Sequence, residues 1–148
     1  MSIVFQIGIA EKNNKEIVNK KSIEVVASKG IIGDRYFHDF NGDREQITLI
    51  ESENIDYYNN KFNTNFNYLD FRRNIITKNI ELNDLNGKLI FVGAIKLKVN
   101  DLCRPCKDLQ NRLGKDNIIK EFLRRGGLRC EILTSGTINV GDIISLKA

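Results

Sequence analysis

The sequence lacks tryptophan and has one proline, one histidine and three cysteines among its 148 residues. No apolar run approaches the roughly 20 residues that a membrane-spanning helix needs. The first residues also lack the basic segment and long apolar stretch of a secretory signal. An odd number of cysteines without an export signal argues against a disulfide framework. We therefore expect a cytoplasmic protein with reduced thiols that does not associate with membranes.

The chain also carries little excess charge. Its 23 basic and 19 acidic residues give a net charge of +4, and the eight phenylalanines and four tyrosines are scattered. Proteins that bind nucleic acids usually show a clustered basic stripe or an aromatic stacking surface. We expect no nucleic-acid partner. A mild positive excess suits a small anionic ligand instead.

Length and composition predict one domain over residues 1–148, since chains usually divide only when a core outgrows about 250 residues. Short runs of β-branched residues bounded by Gly, Asn, Asp or Ser predict strands. The predicted strands are Ile3–Ile9, Ser22–Ala27, Gln46–Ile50, Asn74–Thr77, Lys88–Val92, Ala94–Val99, Leu128–Leu133 and Asp142–Leu146.

Only two segments have helical spacing of apolar residues. They are Ser52–Lys61, with Ser52 as N-cap, and Asp116–Arg125, where Gly126–Gly127 would end the helix. The Asn-rich segment Asn59–Asn67 is predicted to be a loop. Many short strands and few helices predict a mainly β barrel or sandwich.

The densest local cluster of reactive groups is Cys103-Arg104-Pro105-Cys106, directly after a predicted strand. A redox dithiol would require the pair at a helix N-terminus in a βαβ context. A zinc site would need further ligands, for which Cys130 and His38 are the candidates. A single functional thiolate, favoured by the adjacent cations, is the third interpretation. Cys130, inside an apolar strand, is predicted to be a core residue, and His38 is predicted to be structural or at the surface.

Several basic residues are candidates for binding an anion. Arg35 follows the glycine-punctuated stretch Gly30–Gly33 and could bind a phosphate, or simply pair with Asp34. Arg72 and Arg73 stand at the start of a predicted strand, where neighbours point to opposite faces. We therefore expect at most one of the two to face a given pocket. Lys21-Ser22 offers a cation and a hydroxyl at the start of another strand, or a solvated strand edge.

Taken in order, these motifs resemble the MOSC domain, the family named for the C-terminal part of molybdenum-cofactor sulfurases. The matching motifs are Lys21-Ser22, Gly30-x-x-Gly33-Asp34-Arg35, Arg44–Ile50, Phe71-Arg72-x-Asn74-Ile75, Leu85-x-Gly87 to Gly93, Cys103-x-Pro105-Cys106, Arg125-Gly126-Gly127 and Gly136-x-Ile138-x-Val140-Gly141-Asp142. The resemblance covers about residues 22–144. It is to the small stand-alone bacterial members, with no desulfurase domain attached, and it implies a β-barrel of mixed strands with a few short helices.

The resemblance also implies a site and a cofactor. Cys106 would ligate molybdenum or carry a persulfide, with Cys103 as its helper. The residues that would hold the phosphate and pterin of molybdopterin are Lys21, Ser22, Arg35, Arg72, Asn74 and Arg104. The activity would be sulfur transfer or molybdenum-dependent reduction of N-hydroxylated compounds.

Other interpretations of the sequence stay open. The isolated chain either holds the cofactor or carries only sulfur. The domain could instead be a non-catalytic carrier that docks on a partner such as a cysteine desulfurase or a molybdoenzyme. A structural zinc protein that uses the CxxC pair is the remaining alternative.

Overall fold

The structure is a computed structural model that describes residues 1–13, 15–38 and 46–146. The Arg44 and Glu45 part of the Arg44–Ile50 motif lies outside the described residues. The strands are β1 (Ile3–Ile9), β2 (Val18–Lys20), β3 (Ser22–Val26), β4 (Gly30–Ile31), β5 (Ile47–Glu51), β6 (Ile75–Lys78), β7 (Leu89–Val92), β8 (Ile95–Leu102), β9 (Leu128–Ile132), β10 (Gly136–Asn139) and β11 (Ile144–Ser145). The helices are α1 (Ser52–Phe62), α2 (Lys107–Leu113) and α3 (Ile118–Glu121), and two 3₁₀ turns span Tyr68–Phe71 and Leu82–Leu85.

Eight of these strands form one mixed sheet in the order β11-β7-β8-β9-β5-β6-β1-β2. Strands β5 and β6 are parallel, and the other pairs are antiparallel. The remaining strands form a second sheet, β10-β3-β4. The side chains of Ile23, Val25 and Ile138 in this second sheet pack into the same core as the large sheet. The expected mainly β fold of mixed strands with a few short helices is confirmed.

The large sheet curls until β1 meets the segment before β11. The amide of Val4 donates to the carbonyl oxygen of Asp142 at 2.9 Å, and the amide of Gly141 donates to the carbonyl oxygen of Val4 at 2.8 Å. Ile3 and Ile143 form an antiparallel bridge beside them. These bonds close the curl into a barrel-like body whose interior is the main hydrophobic core.

Strands β5 and β6 are buried on both faces. Because side chains alternate along a strand, neighbouring residues of these strands pack into two different hydrophobic clusters. Leu49 and Ile75 point into the barrel core. Their neighbours Ile50 and Ile76 pack into a second cluster with residues of the three helices, such as Tyr58 and Ile118. The helical layer therefore covers one side of the barrel and fixes the segments that surround the candidate site.

The predicted strands are all present, and none of their ends is shifted by more than three residues. The exposed strand β2 and the short strands β4 and β10 were not predicted. Helix α2 was also missed, because Leu109 is its one buried residue and its sequence shows no apolar stripe. Within the described residues, no helix has both the length and the apolar character needed to cross a membrane.

Three expectations about helices were wrong in detail. The N-cap of α1 is Glu51 and not Ser52, and no side chain caps this helix. Since α1 extends to Phe62, the first residues of the predicted Asn59–Asn67 loop are helical. The predicted helix Asp116–Arg125 shortens to Ile118–Glu121.

Gly126 and Gly127 therefore do not end a helix. They instead allow their segment to lie close to the backbones of two neighbouring segments. A Cβ atom on Gly127 would lie 1.8 Å from the carbonyl oxygen of Leu49 in β5, and Gly127 has a φ of +97°. A Cβ atom on Gly126 would lie 2.5 Å from the carbonyl oxygen of Cys103. The two glycines let the start of β9 pass between β5 and the segment that carries the cysteines.

Candidate active site around Cys106

A cleft of about 300 Å³ opens beside the N-terminus of α2, and we call it the thiol cleft. Its lining residues are Asn13, Arg35, Tyr36, Arg72, Arg73, Cys106, Asp108 and Leu109. The cleft brings together three of the residues that the sequence singled out, namely Arg35, Arg72 and Cys106. Its volume lies at the small end of the range for ligand sites, which is about 300–1,000 Å³.

Cys106 is the accessible thiol of the three cysteines. It is the N-cap residue of α2, in an extended conformation, after the irregular stretch that follows β8. Cys103 is buried, and its amide donates to the carbonyl oxygen of Gly127 at 2.7 Å. Burial raises the pKa of the Cys130 thiol, and the nearby Cys103 adds to this shift. Cys130 is a core residue as predicted, and Cys103 lies on the core side of the CxxC segment.

Arg72 and Arg73 both line the thiol cleft, which corrects the expectation that at most one of them could. That expectation assumed a strand, but β6 begins only at Ile75. Arg72 instead ends the 3₁₀ turn Tyr68–Phe71 in a left-handed conformation with a φ of 63°. This turn changes the chain direction, so strand alternation does not apply to the two arginines.

Each arginine is oriented by main-chain carbonyl groups. Arg72 donates from Nη1 to the carbonyl oxygen of Lys15 at 2.8 Å and from Nη2 to that of Asn13 at 2.9 Å. Arg73 donates from Nε to the carbonyl oxygen of Gly126 at 2.9 Å. Carbonyl acceptors fix the direction of a guanidinium without neutralising its charge, and each group keeps further N–H donors.

Arg35 is held more tightly than the other two. Its Nη1 atom lies 3.2 Å from Oδ1 of Asp34, and the two side chains are 6% and 0% exposed. Its Nη2 atom donates to the carbonyl oxygen of Arg72 at 2.9 Å, and its guanidinium stacks 4.4 Å from the ring centroid of Tyr36. The ion pair with Asp34, one of the two readings of this motif, is present. Arg35 still contributes to the cleft wall through its link to Arg72.

Asn74 lies behind this wall in a buried hydrogen-bond network. Its Oδ1 atom accepts from the amide of Thr48 at 3.0 Å, and its Nδ2 atom donates to the carbonyl oxygen of Gly8 at 3.1 Å. Nδ2 also lies 3.5 Å from Oδ1 of Asp34. In this structure Asn74 joins β1, β5 and β6 beneath Asp34 and does not line the thiol cleft.

The described residues that line the cleft have a positive balance of charge. Burial lowers the pKa of the Arg72 guanidinium, and the charges of Arg35 and Arg112 lower it further. Among the described residues, Asp108 is the one carboxylate that lines the cleft, and it is bound to Arg112 at 3.0 Å. Clustered guanidinium groups of this kind favour a bound anion, because an anion relieves their mutual repulsion.

The remaining expected site residues lie elsewhere. Lys21 and Ser22 are exposed around the start of β3, and Lys21 lines a different cleft with Phe5 and Val140. Arg104 is exposed and does not line the thiol cleft. Within the described residues, no three His, Cys, Asp or Glu side chains are grouped to hold a metal, so the structure gives the zinc alternative no support.

Sequence reasoning missed Tyr36 and Arg112 as residues of the site or its border, and it admitted only one of Arg72 and Arg73. A signal for Arg73 was present, because Asn67-x-x-Asp70 forms a capping box for the 3₁₀ turn. Such a pattern marks the start of a helical turn and not of a strand. No comparable signal announced Arg112, whose helix was not predicted.

Comparisons with known proteins agree with the fold and with the motifs. The YUAD protein from Bacillus subtilis has a solved structure that matches with a TM-score of 0.80 and 18% identity, over 97% of this chain and 94% of that one. YiiM from Geobacillus stearothermophilus matches with a TM-score of 0.75 and 16% identity, over 100% of this chain and 76% of that one. YiiM from Escherichia coli gives the same TM-score and identity over 100% and 70%.

At these identities the solved structures establish a shared fold and nothing further. No curated protein matched the chain. The sequence of residues 37–145 matches the MOSC domain family, which covers more than half of the chain. The chain therefore belongs to the MOSC domain family.

Proposed function

We propose that the protein binds a molybdopterin-type cofactor in the thiol cleft, with Cys106 as the ligand to molybdenum. The observation that carries this proposal is that one accessible thiol and three arginines line a single small cleft. A thiolate is a soft ligand of the kind that suits molybdenum and sulfur. Guanidinium groups suit the phosphate of the cofactor, which they can bind through paired N–H donors.

The residues that line the cleft fit such a group. Arg72 and Arg73 would bind the phosphate with the N–H groups that their carbonyl partners leave over. Arg35 would act as a positioning residue, because it fixes Arg72 and is itself nearly buried. Bound molybdenum would supply oxygen-atom removal from an N-hydroxylated compound, with two electrons from an external donor. Cys106 would hold the metal at the cleft mouth.

A second function is favoured by the exposure of Cys106 and the small volume of the cleft. Cys106 could carry sulfur without any cofactor. In that case its thiolate attacks the outer sulfur of a donor persulfide, takes that sulfur, and releases the donor thiolate. The arginines would then stabilise the anionic persulfide that forms on Cys106.

The test is expression in a host that makes the cofactor, followed by measurement of molybdenum and released pterin per chain. The wild-type protein should carry both. Cys106→Ser should lose molybdenum and retain pterin, and the double variant Arg72→Gln/Arg73→Gln should lose both. Arg124→Gln, at an exposed arginine outside the cleft, is the matched control and should resemble wild type.

Wild-type protein with neither molybdenum nor pterin would overturn the cofactor proposal. The sulfur-carrier function is then tested by incubation with a cysteine desulfurase and cysteine. Mass spectrometry should show the gain of one sulfur atom on the peptide that contains Cys106. If that peptide gains no sulfur, the carrier function is excluded as well.

A further inference from the structure

Arg73 brings uncommitted hydrogen-bond donors to the thiol cleft. Its Nε atom donates to the carbonyl oxygen of Gly126 at 2.9 Å, and its Nη1 atom donates to that of Phe71 at 3.3 Å. Its Nη2 atom has no acceptor among the described residues. Arg73 is half-buried, so part of this guanidinium group is also removed from water. Such a donor is stabilised when a ligand supplies the missing acceptor.

The charges of the cleft suit a ligand with two negative charges. Arg35 is largely neutralised by Asp34, which lies 3.2 Å from it. Among the described residues, Arg72 and Arg73 bond only to main-chain carbonyl groups, so neither is neutralised. The carboxylate of Asp108 is 76% exposed and is already in an ion pair, so its repulsion of an anion is screened. Two guanidinium groups therefore remain for a dianion.

The accessible thiol narrows the choice of dianion. Cys106 lines the same cleft as the two arginines, and its thiolate form is a nucleophile towards sulfur. A dianion that contains a sulfane sulfur lets the thiolate and the arginines act on one molecule. Thiosulfate is the simplest such ion, because its outer sulfur is bonded to a sulfonate group that can leave as sulfite. The cleft of about 300 Å³ is at the small end for ligand sites, which suits a small tetrahedral ion.

We propose that the protein takes sulfur directly from thiosulfate, or from a related small ion in which a sulfane sulfur is bonded to a sulfonate group. This proposal rests on the sulfur-carrier function of Cys106 and names the donor for that function. The loading step then needs no partner protein, because the donor itself enters the cleft.

The loading step balances in atoms, electrons and charge. The thiolate of Cys106 attacks the outer sulfur of thiosulfate, so that a new sulfur–sulfur bond forms and the bond to the sulfonate sulfur breaks. The electron pair of the broken bond leaves with sulfite, and Cys106 is oxidised to a persulfide anion. No proton moves, since a monoanion and a dianion react to give a monoanion and a dianion. An acceptor thiolate then takes the outer sulfur and restores the Cys106 thiolate.

Arg72 and Arg73 would overcome the electrostatic barrier to this step. A thiolate and a dianion repel each other, which disfavours their encounter in water. The N–H donors of the two guanidinium groups would bind the sulfonate oxygens of thiosulfate. Negative charge accumulates on these oxygens as sulfite departs, so the same contacts strengthen in the transition state.

The test uses the full-length protein from a host that does not make the cofactor, treated with cyanide to remove any sulfur already bound. Incubation with thiosulfate should release sulfite, and mass spectrometry should show the gain of one sulfur atom on the peptide that contains Cys106. Cyanide should then release thiocyanate and permit further turnover. Cys106→Ser should abolish the release of sulfite. Sulfate, a dianion without a sulfane sulfur, should inhibit competitively.

A comparison of two reagents separates the role of Arg73 from a general effect on the thiol. Iodoacetamide is neutral and reports how much Cys106 thiolate is available. In Arg73→Gln, the ratio of the thiosulfate to the iodoacetamide rate constant should fall at least about tenfold, because a charge-assisted contact to the dianion is lost. Arg73→Lys keeps the charge and should recover part of this ratio. Arg124→Gln, at an exposed arginine outside the cleft, is the matched control and should leave the ratio unchanged.

The outcomes distinguish this proposal from the carrier function on which it rests. If a cysteine desulfurase loads Cys106 and thiosulfate does not, the proposal is overturned and the carrier function stands. If neither donor loads Cys106, both are overturned. An unchanged ratio of the two rate constants in Arg73→Gln would also overturn the proposal, because the arginine would then act on the thiol and not on the dianion.

Discussion

Arg35 donates a 2.9 Å hydrogen bond from its guanidinium to the main-chain carbonyl oxygen of Arg72. The acceptor belongs to a residue whose own backbone is left-handed, with a φ of 63°. The first arginine thus stabilises the conformation that directs the second one into the thiol cleft. The carboxylate of Asp34, which also accepts from the amide of Ala10 at 3.0 Å, anchors this pair to the end of β1.

Replacement of Arg35 by lysine should therefore destabilise the protein while keeping its charge. An ammonium group cannot reach Asp34 and the Arg72 carbonyl group at once, because it lacks the planar fork of a guanidinium. We expect the free energy of unfolding, measured by urea denaturation, to fall by about 1–3 kcal/mol. Arg124→Lys is the control, and should change it by less than about 0.5 kcal/mol. Equal stability of the two variants would show that the pair does not fix Arg72.

Thiol reactivity should distinguish the three cysteines in the native protein. Cys106 is exposed, whereas Cys103 and Cys130 are buried. Buried thiols react only when the structure opens, so their rates should be lower by orders of magnitude. A chromogenic thiol reagent should therefore detect one fast thiol per chain, and Cys106→Ser should remove that phase. Two fast thiols in the wild-type protein would contradict the buried position of Cys103.

Gly127→Ala should be one of the most damaging single changes in the chain. A methyl group there would overlap the carbonyl oxygen of Leu49, and the residue has a positive φ as well. Steric overlap and backbone strain together should cost about 3–5 kcal/mol of unfolding free energy. Gly114→Ala is the matched control, since Gly114 also has a positive φ (+67°) but faces open space. It should cost about 1 kcal/mol. Similar losses in both variants would contradict the close approach of the β9 segment to β5.

Glu51 should make stability depend on pH. Partial burial raises its pKa above the ordinary 4.5, and the charges of Glu81, Glu53 and Asp84 raise it further, against the amide of Leu82 that donates to it. The folded state therefore binds the proton more tightly than the unfolded state does. The stabilisation of the folded state by protonated Glu51 is therefore complete below pH 4.5, and it is lost as the pH rises through the raised pKa of Glu51.

Glu51→Gln should consequently raise the melting temperature at neutral pH, because the amide oxygen can still accept from Leu82. The gain should disappear below about pH 4.5, where the wild-type carboxyl group is protonated in both states. Thermal unfolding of both proteins over a pH series measures this difference. The exposed Glu11→Gln is the control and should show no such pH-dependent gain. A gain that is independent of pH would rule out the ionisation of Glu51 as its cause.

Period-two patterns predicted most of the fold, because eight strands alternate or are continuously apolar. In β8, Ile95, Leu97 and Val99 are buried and the residues between them are half-exposed, as the sequence pattern indicates. Two of the elements that escaped prediction, β2 and α2, bury little. All three residues of β2 are exposed, and α2 buries only Leu109, so neither leaves an apolar pattern to detect.

The chemical groups of the candidate site were predictable from the sequence. The full set of residues that line the cleft was less so. Cys106, Arg35 and Arg72 were identified because thiols and arginines beside turns are chemically distinctive. Lys21 shares that character, but the fold places it in a different cleft, with Phe5 and Val140. At most one of Arg72 and Arg73 was expected in the cleft because a strand was assumed, and only the 3₁₀ turn before Arg72 changes that conclusion.

The contact between β1 and residues 141–143, which closes the barrel, has a consequence for how the protein folds. Ile3 bridges Ile143, and Val4 bonds to Gly141 and Asp142, so nearly the whole described chain separates the partners. Contacts between such distant residues form slowly, because a long loop must close before they contribute. During synthesis β1 therefore emerges first and pairs last along one edge. Until the segment at 141–144 has left the ribosome, β1 depends on β2 and β6, and the barrel stays open.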